Sequence, residues 1–284
     1  MTEVLVIGGA NIDIKARSAS THVAATSNPA LISHKPGGVA RNIAHNLGRL
    51  GAKVSLLSVV GSDTAGVGLL NATAESGVDV SRCFKATGVT GTYLAFLDER
   101  GELITAANDM EILQAITPEI IAHHKEVIVS ARLVIVDCNL PVGTLVAIAK
   151  LASAKLIVEP VSVSKSQKLK KLGASIFLAT PNLDQVEALT GSRDPQAAAT
   201  LLHQSGIKNL VIHAGARGAY ISDGENFSHV PSRASKIVDV TGAGDAATAG
   251  LALGLLRGWP LAKAGELGQD ISAKVIASTA STLE

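Results

Sequence analysis

The sequence predicts an α/β protein in which helices cover both faces of a mostly parallel sheet. Short apolar, β-rich runs alternate along the chain with amphipathic stretches, as in repeated strand–helix–strand units, whose crossovers are right-handed as a rule. The predicted strands are residues 4–9, 53–61, 132–139, 155–161, 175–182 and 209–215. The predicted helices are residues 39–51, 64–76, 117–128, 142–152, 183–190, 195–204, 244–257 and 261–280.

Two segments depart from this alternation. Residues 12–36 are polar and mixed, without a helical period, and residues 84–108 have the pattern of a hairpin that turns at "ERG". Both leave the main sheet and return to it. We therefore expect them to form a small β lid over the carboxyl edge of the large sheet, where open α/β sheets bind ligands. The chain, 1–284, is predicted as a single domain of three α/β/α layers with this lid.

The composition limits the classes of partner. Aromatic residues make up only 2% of the chain, too few for a surface that stacks bases of single-stranded nucleic acid. The 25 basic and 24 acidic side chains form no long run, so no polyanion partner is indicated. Cys83 and Cys138 give no disulfide framework, which suits a reducing cytoplasm. A signal peptide and an apolar stretch long enough to span a membrane are both lacking in the sequence.

The stretch "DVTGAGDAATAG" (239–250) places Asp245 at the start of an apolar helix, directly after Gly242, Ala243 and Gly244. The first amides of a helix lack partners and carry partial positive charge, and glycines let a ligand approach them. This pattern predicts an anion nest beside a general base, an arrangement that suits phosphoryl transfer. We expect the amides to keep Asp245 charged. An acid at a helix start is also typical of an N-cap, and the spacing alone does not separate the two.

A second set of polar residues lies near the N-terminus. Asn11 and Asp13 follow the first strand on one side of an extended segment, and Asn42 lies in the first turn of the next helix. Asp13 and Asn42 can hold vicinal hydroxyls, and Gly37 and Gly38 can bring backbone amides to the same sugar. An Asx turn and an ordinary helix start remain the alternatives. A dinucleotide site is disfavoured because GxGxxG is absent.

Together these motifs resemble the PfkB family of ribokinase-like carbohydrate and nucleoside kinases. The strings "PGGVARNIAHNLGRLG" and "DVTGAGDAATAG" are similar to its two signatures, "TPNLDQVEALTG" to the segment ahead of its nucleotide site, and "IHAGARGAY" to its ATP-phosphate loop. The resemblance extends along nearly the whole chain. It implies a ribokinase-like fold with a β lid, ATP as donor, Mg²⁺, often activation by a monovalent cation such as K⁺, and a homodimer formed through the lid.

The resemblance also implies roles for individual residues. It makes Asp245 the catalytic base, with the amides of Gly242, Ala243 and Gly244 as the anion hole. The implied ligands of the sugar hydroxyls are Asp13, Gly38 and Asn42. The residue pattern adds Asn11, Gly37 and Asn139 as further candidates beside the substrate. The implied contacts to the ATP phosphates or their metal are Asn182 and Gly215, with Gly218 in the same loop, and the implied ligands of the monovalent cation are Asp239 and Thr241. Lys165 is a separate candidate for contacting phosphate, with a solvated surface lysine as the alternative.

Within the family, several strings are most similar to bacterial pseudouridine kinases: "ANID", "TSNPALISHKPGGVARNIAHNLGRLG", "YLAFLDERGELITAANDM" and "VDCN". Ser27, Asn28 and Asn108 fall in lid strings that would face the part of the ligand beyond the ribose. One departure concerns the metal, because the family usually has a glutamate where this chain has Gln185. Glu187 is then the predicted Mg²⁺ ligand, with Asp184 as the other nearby acid.

Overall fold

Helices and strands alternate along most of the chain, as the apolar pattern predicts. The computed structural model describes residues 2–152 and 155–284. The strands are β1 Val4–Ile7, β2 Asn11–Ser18, β3 Ala30–Gly37, β4 Val54–Leu57, β5 Val59–Gly61, β6 Phe84–Ala86, β7 Thr92–Leu97, β8 Leu103–Asp109, β9 Leu133–Asp137, β10 Leu156–Glu159, β11 Leu178–Ala179, β12 Asn209–His213, β13 Ala219–Ser222 and β14 Phe227–Val230. The α-helices are α1 Val39–Arg49, α2 Thr64–Ala74, α3 Pro118–His123, α4 Lys125–Ser130, α5 Val142–Ala152, α6 Val163–Ser166, α7 Leu183–Thr190, α8 Pro195–Gln204, α9 Ala243–Leu256 and α10 Leu261–Ile276.

The main sheet has eight strands in the order β14-β13-β12-β11-β10-β9-β1-β4. Six neighbouring strands run parallel, namely β4, β1, β9, β10, β11 and β12, whereas β13 and β14 pair antiparallel at one edge. The carboxyl ends of the parallel strands therefore share one edge. The residues that follow β1, β9, β10, β11 and β12 all meet there, which is the edge where ligands of such sheets bind.

Helices cover both faces of this sheet. Side chains alternate along each strand, and β1 shows the result: Leu5 and Ile7 pack in a core cluster with α5 and α8, while Val4 and Val6 pack in a second cluster with α1 and α9. All four side chains are fully buried. Two cores separated by one sheet make the three layers that the sequence predicts.

A second sheet, called here the small sheet, has the strand order β3-β2-β7-β8. It is built from the two segments that the sequence set apart from the alternation. Its register brings four residues into one row, because Asp13 pairs with Lys35 and Tyr93, and Tyr93 pairs with Asn108. Laterally paired residues lie on the same face of a sheet. The polar groups of this row therefore share one face.

Two predicted elements are wrong in detail. The run 53–61 is two strands instead of one, because β4 pairs with β1 in the main sheet whereas β5 pairs with β6 in a separate sheet. Between them, the Ser58 hydroxyl donates to the Gly8 carbonyl. The helix predicted at 117–128 is broken at His124, whose φ of −97° and ψ of 14° are not helical. The antiparallel strands β13 and β14 are absent from the prediction.

Segment 277–283, which follows α10, lies against the parts of the chain that surround the carboxyl edge. The Leu283 N–H donates to Asn46 Oδ1 at 2.8 Å, and the Leu283 carbonyl accepts from His45 Nε2 at 2.9 Å. Lys35 of the small sheet donates to the Thr279 carbonyl at 2.7 Å. This segment therefore connects α1 with the small sheet. Over the described ranges, no helix is both long and apolar enough to cross a membrane.

Candidate active site

The N-terminus of α9 is formed by a left-handed turn that only glycine fits. Gly242 is the N-cap residue with a φ of 81°, and a Cβ there would collide with the Ser281 carbonyl oxygen. The Ala243 amide donates to the Val240 carbonyl at 3.2 Å, so it belongs to the turn. The amides of Gly244 and Asp245 find no acceptor within the residues that the structure describes. The Ala243 amide is therefore not available to the predicted anion nest, whereas the Gly244 amide is.

Asp245 does not cap its helix. Its Oδ2 accepts a hydrogen bond from Asn42 Nδ2 at 2.9 Å, and only 9% of the residue is exposed. Burial raises the pKa of Asp245 to about 7; the Asn42 hydrogen bond opposes this rise, and the nearby carboxylates Asp137 and Asp13 add to it. The expectation that the helix amides keep this acid charged is therefore wrong, because desolvation outweighs them. A carboxyl group with this pKa accepts a proton readily near neutral pH.

Asn42 and Arg41 form the layer directly behind Asp245. Helix α1 is preceded by its N-cap residue Gly38, whose φ is 100° and which lies against the backbone of Gly9 and Ala10. The Asn42 side chain donates to Asp245 and accepts from Arg41 Nη1 at 3.1 Å. The amide predicted to hold sugar hydroxyls is thus turned toward the carboxylate. Arg41 is 3% exposed, and its burial lowers its pKa to about 10 despite the two acids nearby.

Asp13 lies on the face of β2 that carries the polar row of the small sheet. Asn11 Nδ2 donates to its Oδ1 at 2.7 Å, and its carboxylate fills the space that a side chain at position 37 would need. Gly37 is therefore required for this approach. Burial raises the pKa of Asp13, while Asn11, Lys15 and Arg41 lower it. The structure brings Asn11, Asp13 and Gly37 together, as the sequence predicts.

Two buried acids in the site were not predicted. Asp137, fully buried at the end of β9, accepts hydrogen bonds from the amides of Gly9 at 2.8 Å and Ala40 at 3.0 Å. It thereby fixes the turn after β1 and the start of α1. Glu159, at the end of β10, accepts from the Val161 amide at 2.5 Å, and Val161 has the strained φ of 69°. Burial raises the pKa values of both acids.

A cavity of about 500 Å³ lies in front of Asp245 and the start of α9. Its lining includes Glu159 from β10, Asn182 at the start of α7 and Gly215 in the loop after β12. Gly215 and Gly218 both have positive φ, and a Cβ at Gly218 would collide with the Val230 carbonyl. The two predicted phosphate-loop glycines are therefore required by the backbone of the turn.

A smaller cavity of about 150 Å³ adjoins the first and shares His213, Gly215 and Gly244 with it. The rest of its lining includes apolar side chains of Ile237 and Ile276. One elongated ligand could therefore place a flat apolar group in the smaller cavity and an anionic group at Gly244. His213 Nε2 is shielded from solvent and lacks a hydrogen-bond partner among the described residues. Burial lowers the pKa of His213 to about 4, so the ring is neutral at pH 7.

The structure gives the predicted metal ligands other partners. Lys15 Nζ donates to Asp239 Oδ2 at 2.9 Å and to Thr241 Oγ1 at 3.0 Å. Glu187 accepts from Arg193 Nε at 2.6 Å on an exposed surface. Over residues 2–152 and 155–284, no three His, Cys, Asp or Glu side chains are arranged to hold a metal ion. A metal in the cavity would therefore need ligands from a bound molecule or from water as well as from the protein.

Gln185, which replaces the expected glutamate, has a structural role. Its Oε1 accepts from the Asn182 amide at 2.9 Å, and Asn182 Oδ1 accepts from the Gln185 amide at 2.9 Å. This reciprocal pair is a capping box, in which Gln and Glu serve equally as acceptor. Gln185 is 3% exposed. The Asn182 carboxamide predicted to contact phosphate is therefore also the cap of α7.

The remaining predicted ligands lie away from this cavity. Lys165 Nζ donates to Asn139 Oδ1 at 2.5 Å, which places it beside the end of β9 and not at the phosphate loop. Ser27 is exposed in the loop between β2 and β3. The Asn28 side chain bonds within that same loop, to Val23 and Thr26, so its amide is not free for a ligand. Asn108 lies in the polar row of the small sheet.

Sequence reasoning missed Lys15, Arg41, Tyr93, Asp137 and Glu159. Asp137 and Glu159 had a usable signal, since each is an acid at the carboxyl end of a predicted parallel strand. Lys15 also had one, because it lies two residues after Asp13 and so on the same face of an extended segment. Arg41 and Tyr93 are placed by packing and register, which the sequence pattern does not reveal.

The chain is similar to known sugar and nucleoside kinases along nearly its whole length. It is 40% identical to the pseudouridine kinase of Escherichia coli over 96% of this chain and 90% of that one. It is 36% identical to an uncharacterized sugar kinase of the same organism over 90% of this chain and 73% of that one. Among solved structures, ribokinase from Thermotoga maritima superposes with a TM-score of 0.90 at 20% identity, covering 99% of this chain and 95% of that one.

The ribokinase superposition concerns the fold, and it confirms the predicted ribokinase-like α/β architecture. The model for the pfkB family of carbohydrate kinases matches residues 1–283. The motifs that resemble this family thus lie within one continuous match to it. The chain belongs to the pfkB family of carbohydrate kinases.

Proposed function

We propose that this protein transfers the γ-phosphoryl group of ATP to the 5′-hydroxyl of pseudouridine. The observation on which this rests most is the 40% identity to the E. coli pseudouridine kinase over almost all of both chains. The family supports a sugar or nucleoside as acceptor and ATP as donor. The arrangement around Asp245 supplies the parts that such a transfer requires.

Asp245 is proposed as the general base. Its pKa of about 7 allows it to take the proton of a hydroxyl as that oxygen attacks phosphorus. Asn42 holds the carboxylate in place through the 2.9 Å hydrogen bond. The unpartnered amides at the start of α9 lie beside it and stabilise the negative charge of the transferred group. Positioning and charge neutralisation provide most of the catalysis in phosphoryl transfer.

The donor is proposed to lie across the two adjoining cavities. Its phosphates would contact Gly215 and the start of α9, and its base would enter the smaller, apolar cavity. Mg²⁺ fits the larger cavity, because Glu159, Asp184 and Asn182 line it with the oxygen ligands that this ion prefers. When bound, the ion neutralises phosphate charge. Few protein ligands are needed, since Mg²⁺ usually shares its coordination with nucleotide phosphates and water.

The acceptor is proposed to lie along the polar row of the small sheet. Asp13 would bind the ribose hydroxyls, next to Asp245 and Asn42. Asn108 lies two strands away in the same row, about 10 Å from Asp13 at the usual strand spacing. Its side chain makes no hydrogen bond to other described residues. The Asn108 carboxamide is thus placed to meet the base, with Tyr93 between it and Asp13.

Pseudouridine and uridine differ at the edge that this amide would contact. Pseudouridine carries its ribose on C5 and presents N1–H, whereas uridine presents C–H at the same place. Asn108 is exposed in β8, so the bound base must cover it. An acceptor covered in this way and bonded to N1–H rejects uridine, because it would be left unpaired and away from water. We propose Asn108 Oδ1 as that acceptor, and we expect kcat/KM for pseudouridine to exceed that for uridine by about tenfold or more.

The test measures ADP release with pseudouridine, uridine and ribose for the wild type, Asn108→Ala and Thr105→Ala. Thr105 is the matched control because it lies on the opposite face of the same strand. Asn108→Ala should reduce the preference for pseudouridine over uridine, and Thr105→Ala should keep it. Equal rates with uridine or ribose in the wild type would contradict pseudouridine as the substrate. An unchanged preference in Asn108→Ala would contradict the role of Asn108 alone.

A further inference from the structure

Lys15 bridges two residues of the segment that leads into the proposed anion nest. Its ammonium group donates to Asp239 Oδ2 at 2.9 Å and to Thr241 Oγ1 at 3.0 Å. The side chains of Lys15 and Asp239 are only 28% and 29% exposed, so the pair is largely shielded from water. Charge-assisted hydrogen bonds of this kind are among the stronger ones in proteins. The contact joins residues 224 positions apart in the chain.

The Lys15 ammonium group already binds both side chains of this pair, and its positive charge would repel a monovalent cation at the same oxygens. Asp239 Oδ1 accepts from the Thr241 amide at 2.9 Å, and Oδ2 accepts from Lys15. Thr241 Oγ1 accepts from the same ammonium group. Burial raises the pKa of Asp239, but the hydrogen bonds from Thr241 and Lys15 outweigh it and hold the pKa below its usual value. Asp239 and Thr241 therefore do not fit the cation-binding role that the sequence predicts.

The Lys15 ammonium lies where it can affect the proposed catalytic helix. Thr241 directly precedes Gly242, the residue whose left-handed turn starts α9. The segment is held from its other side by α10, since the Val238 amide donates to the Ile276 carbonyl at 2.7 Å. Lys15, on strand β2 of the small sheet, holds the same segment from the opposite side. It also lies on the same face of β2 as Asp13, so one strand supplies both the proposed ribose ligand and this charge.

We propose that Lys15 is a positioning residue which supplies, from within the chain, the positive charge that fixes the 239–242 segment, and that the enzyme therefore works without a monovalent cation. This inference rests on the proposed kinase function for its kinetic part. Its structural part concerns only whether K⁺ has a place to bind, and a stability measurement tests that part independently of any substrate.

The experiment compares the wild type and Lys15→Met in KCl and in choline chloride at equal ionic strength. Methionine keeps the apolar stem and removes the ammonium group. The wild type should show the same kcat in both salts. Lys15→Met should lose about tenfold or more of its kcat in choline chloride and regain activity in KCl, because K⁺ can enter the vacated place. A wild type that requires K⁺, a variant without loss, or a loss that KCl does not restore would each overturn the proposal.

Thermal unfolding gives the second measurement. Lys15→Met should gain about 2–4 °C in Tm at a K⁺ concentration ten times its Kd, and the wild type should gain nothing specific to K⁺. Lys35→Met is the matched control, because Lys35 also joins the small sheet to a late segment but binds a carbonyl away from Asp239. It should show no response to K⁺. If Lys15→Met does not fold, Lys15→Gln takes its place.

This arm separates the two proposals. A K⁺-dependent Tm in Lys15→Met, together with no ADP release by the wild type with any acceptor, would support the charge-replacing role of Lys15 and reject the kinase function. A wild type whose Tm rises with K⁺ as much as that of the variant would reject the role of Lys15, whatever its activity.

Discussion

Replacing Asp245 by asparagine should make the protein more stable and much less active. The pKa of Asp245 rises from 3.8 to about 7 on folding, mainly through burial. The folded state therefore keeps a proton that the unfolded state releases, so the free energy of unfolding falls as the pH rises from about 4 to about 7. Each pH unit in that window costs about 1.4 kcal/mol, so ionised Asp245 destabilises the protein by about 4 kcal/mol above pH 7.

Asparagine removes this cost and keeps the shape of the site, because its carbonyl oxygen can still accept from Asn42. Urea unfolding at pH 8 should show a gain of about 4 kcal/mol for Asp245→Asn, and at pH 5 a gain of only about 1.5 kcal/mol, since the folded wild type is then already neutral at this position. The same variant should lose at least about two decades of kcat, the usual contribution of a general base.

The pH dependence of the gain is the decisive result. A gain that is the same at pH 5 and pH 8, or a loss of stability at pH 8, would refute the argument that burial of Asp245 opposes its ionisation. A variant with more than half of the wild-type kcat would refute its role as base.

Asp79→Asn is a control in which the change in stability should have the opposite sign. Burial would raise the pKa of Asp79, but hydrogen bonds from Ser81 and Ser55 and the charge of Arg82 hold it at about 2. Asp79→Asn should therefore lower stability at pH 8.

Two further predictions concern the ligands. Asp13→Ala should weaken pseudouridine binding by about ten- to hundredfold, because it removes hydrogen bonds to a charged group, and it should leave ATP affinity nearly unchanged; equal loss of both in calorimetry would indicate a wrong site or a damaged fold. Gln185→Glu should lower the Mg²⁺ concentration needed for half-maximal ADP release, since the capping box tolerates glutamate and the new carboxylate would face the metal region; a higher Mg²⁺ requirement in the variant would contradict this.

The sequence predicted most of the fold because its signals are local. The alternation of apolar strands and amphipathic helices is visible along the chain, and so is the hairpin of β7 and β8. The division of 53–61 follows from the pairing of its two halves with different strands, β1 and β6, which are distant in the chain and which no local window of the sequence contains. The homodimer and the role of the small sheet as a lid stay predictions.

The candidate site was predicted where its residues belong to short motifs, as for Asp13, Asn42 and Asp245. Its electrostatics were not, because the pKa of Asp245 depends on burial by segments from distant parts of the chain. The Lys15–Asp239 pair is another long-range result, and it changes what Asp239 can bind. The role of Gln185 could have been predicted, since Asn182 and Gln185 have the spacing of a capping box.

The close fit of Gly242 against Ser281 has a consequence for the order of events during synthesis. Ser281, which lies against the turn that starts α9, leaves the ribosome after all the other parts of the site. The sheet strands and α1 can associate earlier, as N-terminal parts of a chain generally do. Until segment 277–283 has emerged, the proposed catalytic turn lacks this neighbour, and α1 and the small sheet lack their contacts with the segment. The sheet of a nascent chain would therefore form before the site is complete. A chain stalled on the ribosome before residue 281 should be largely folded but inactive.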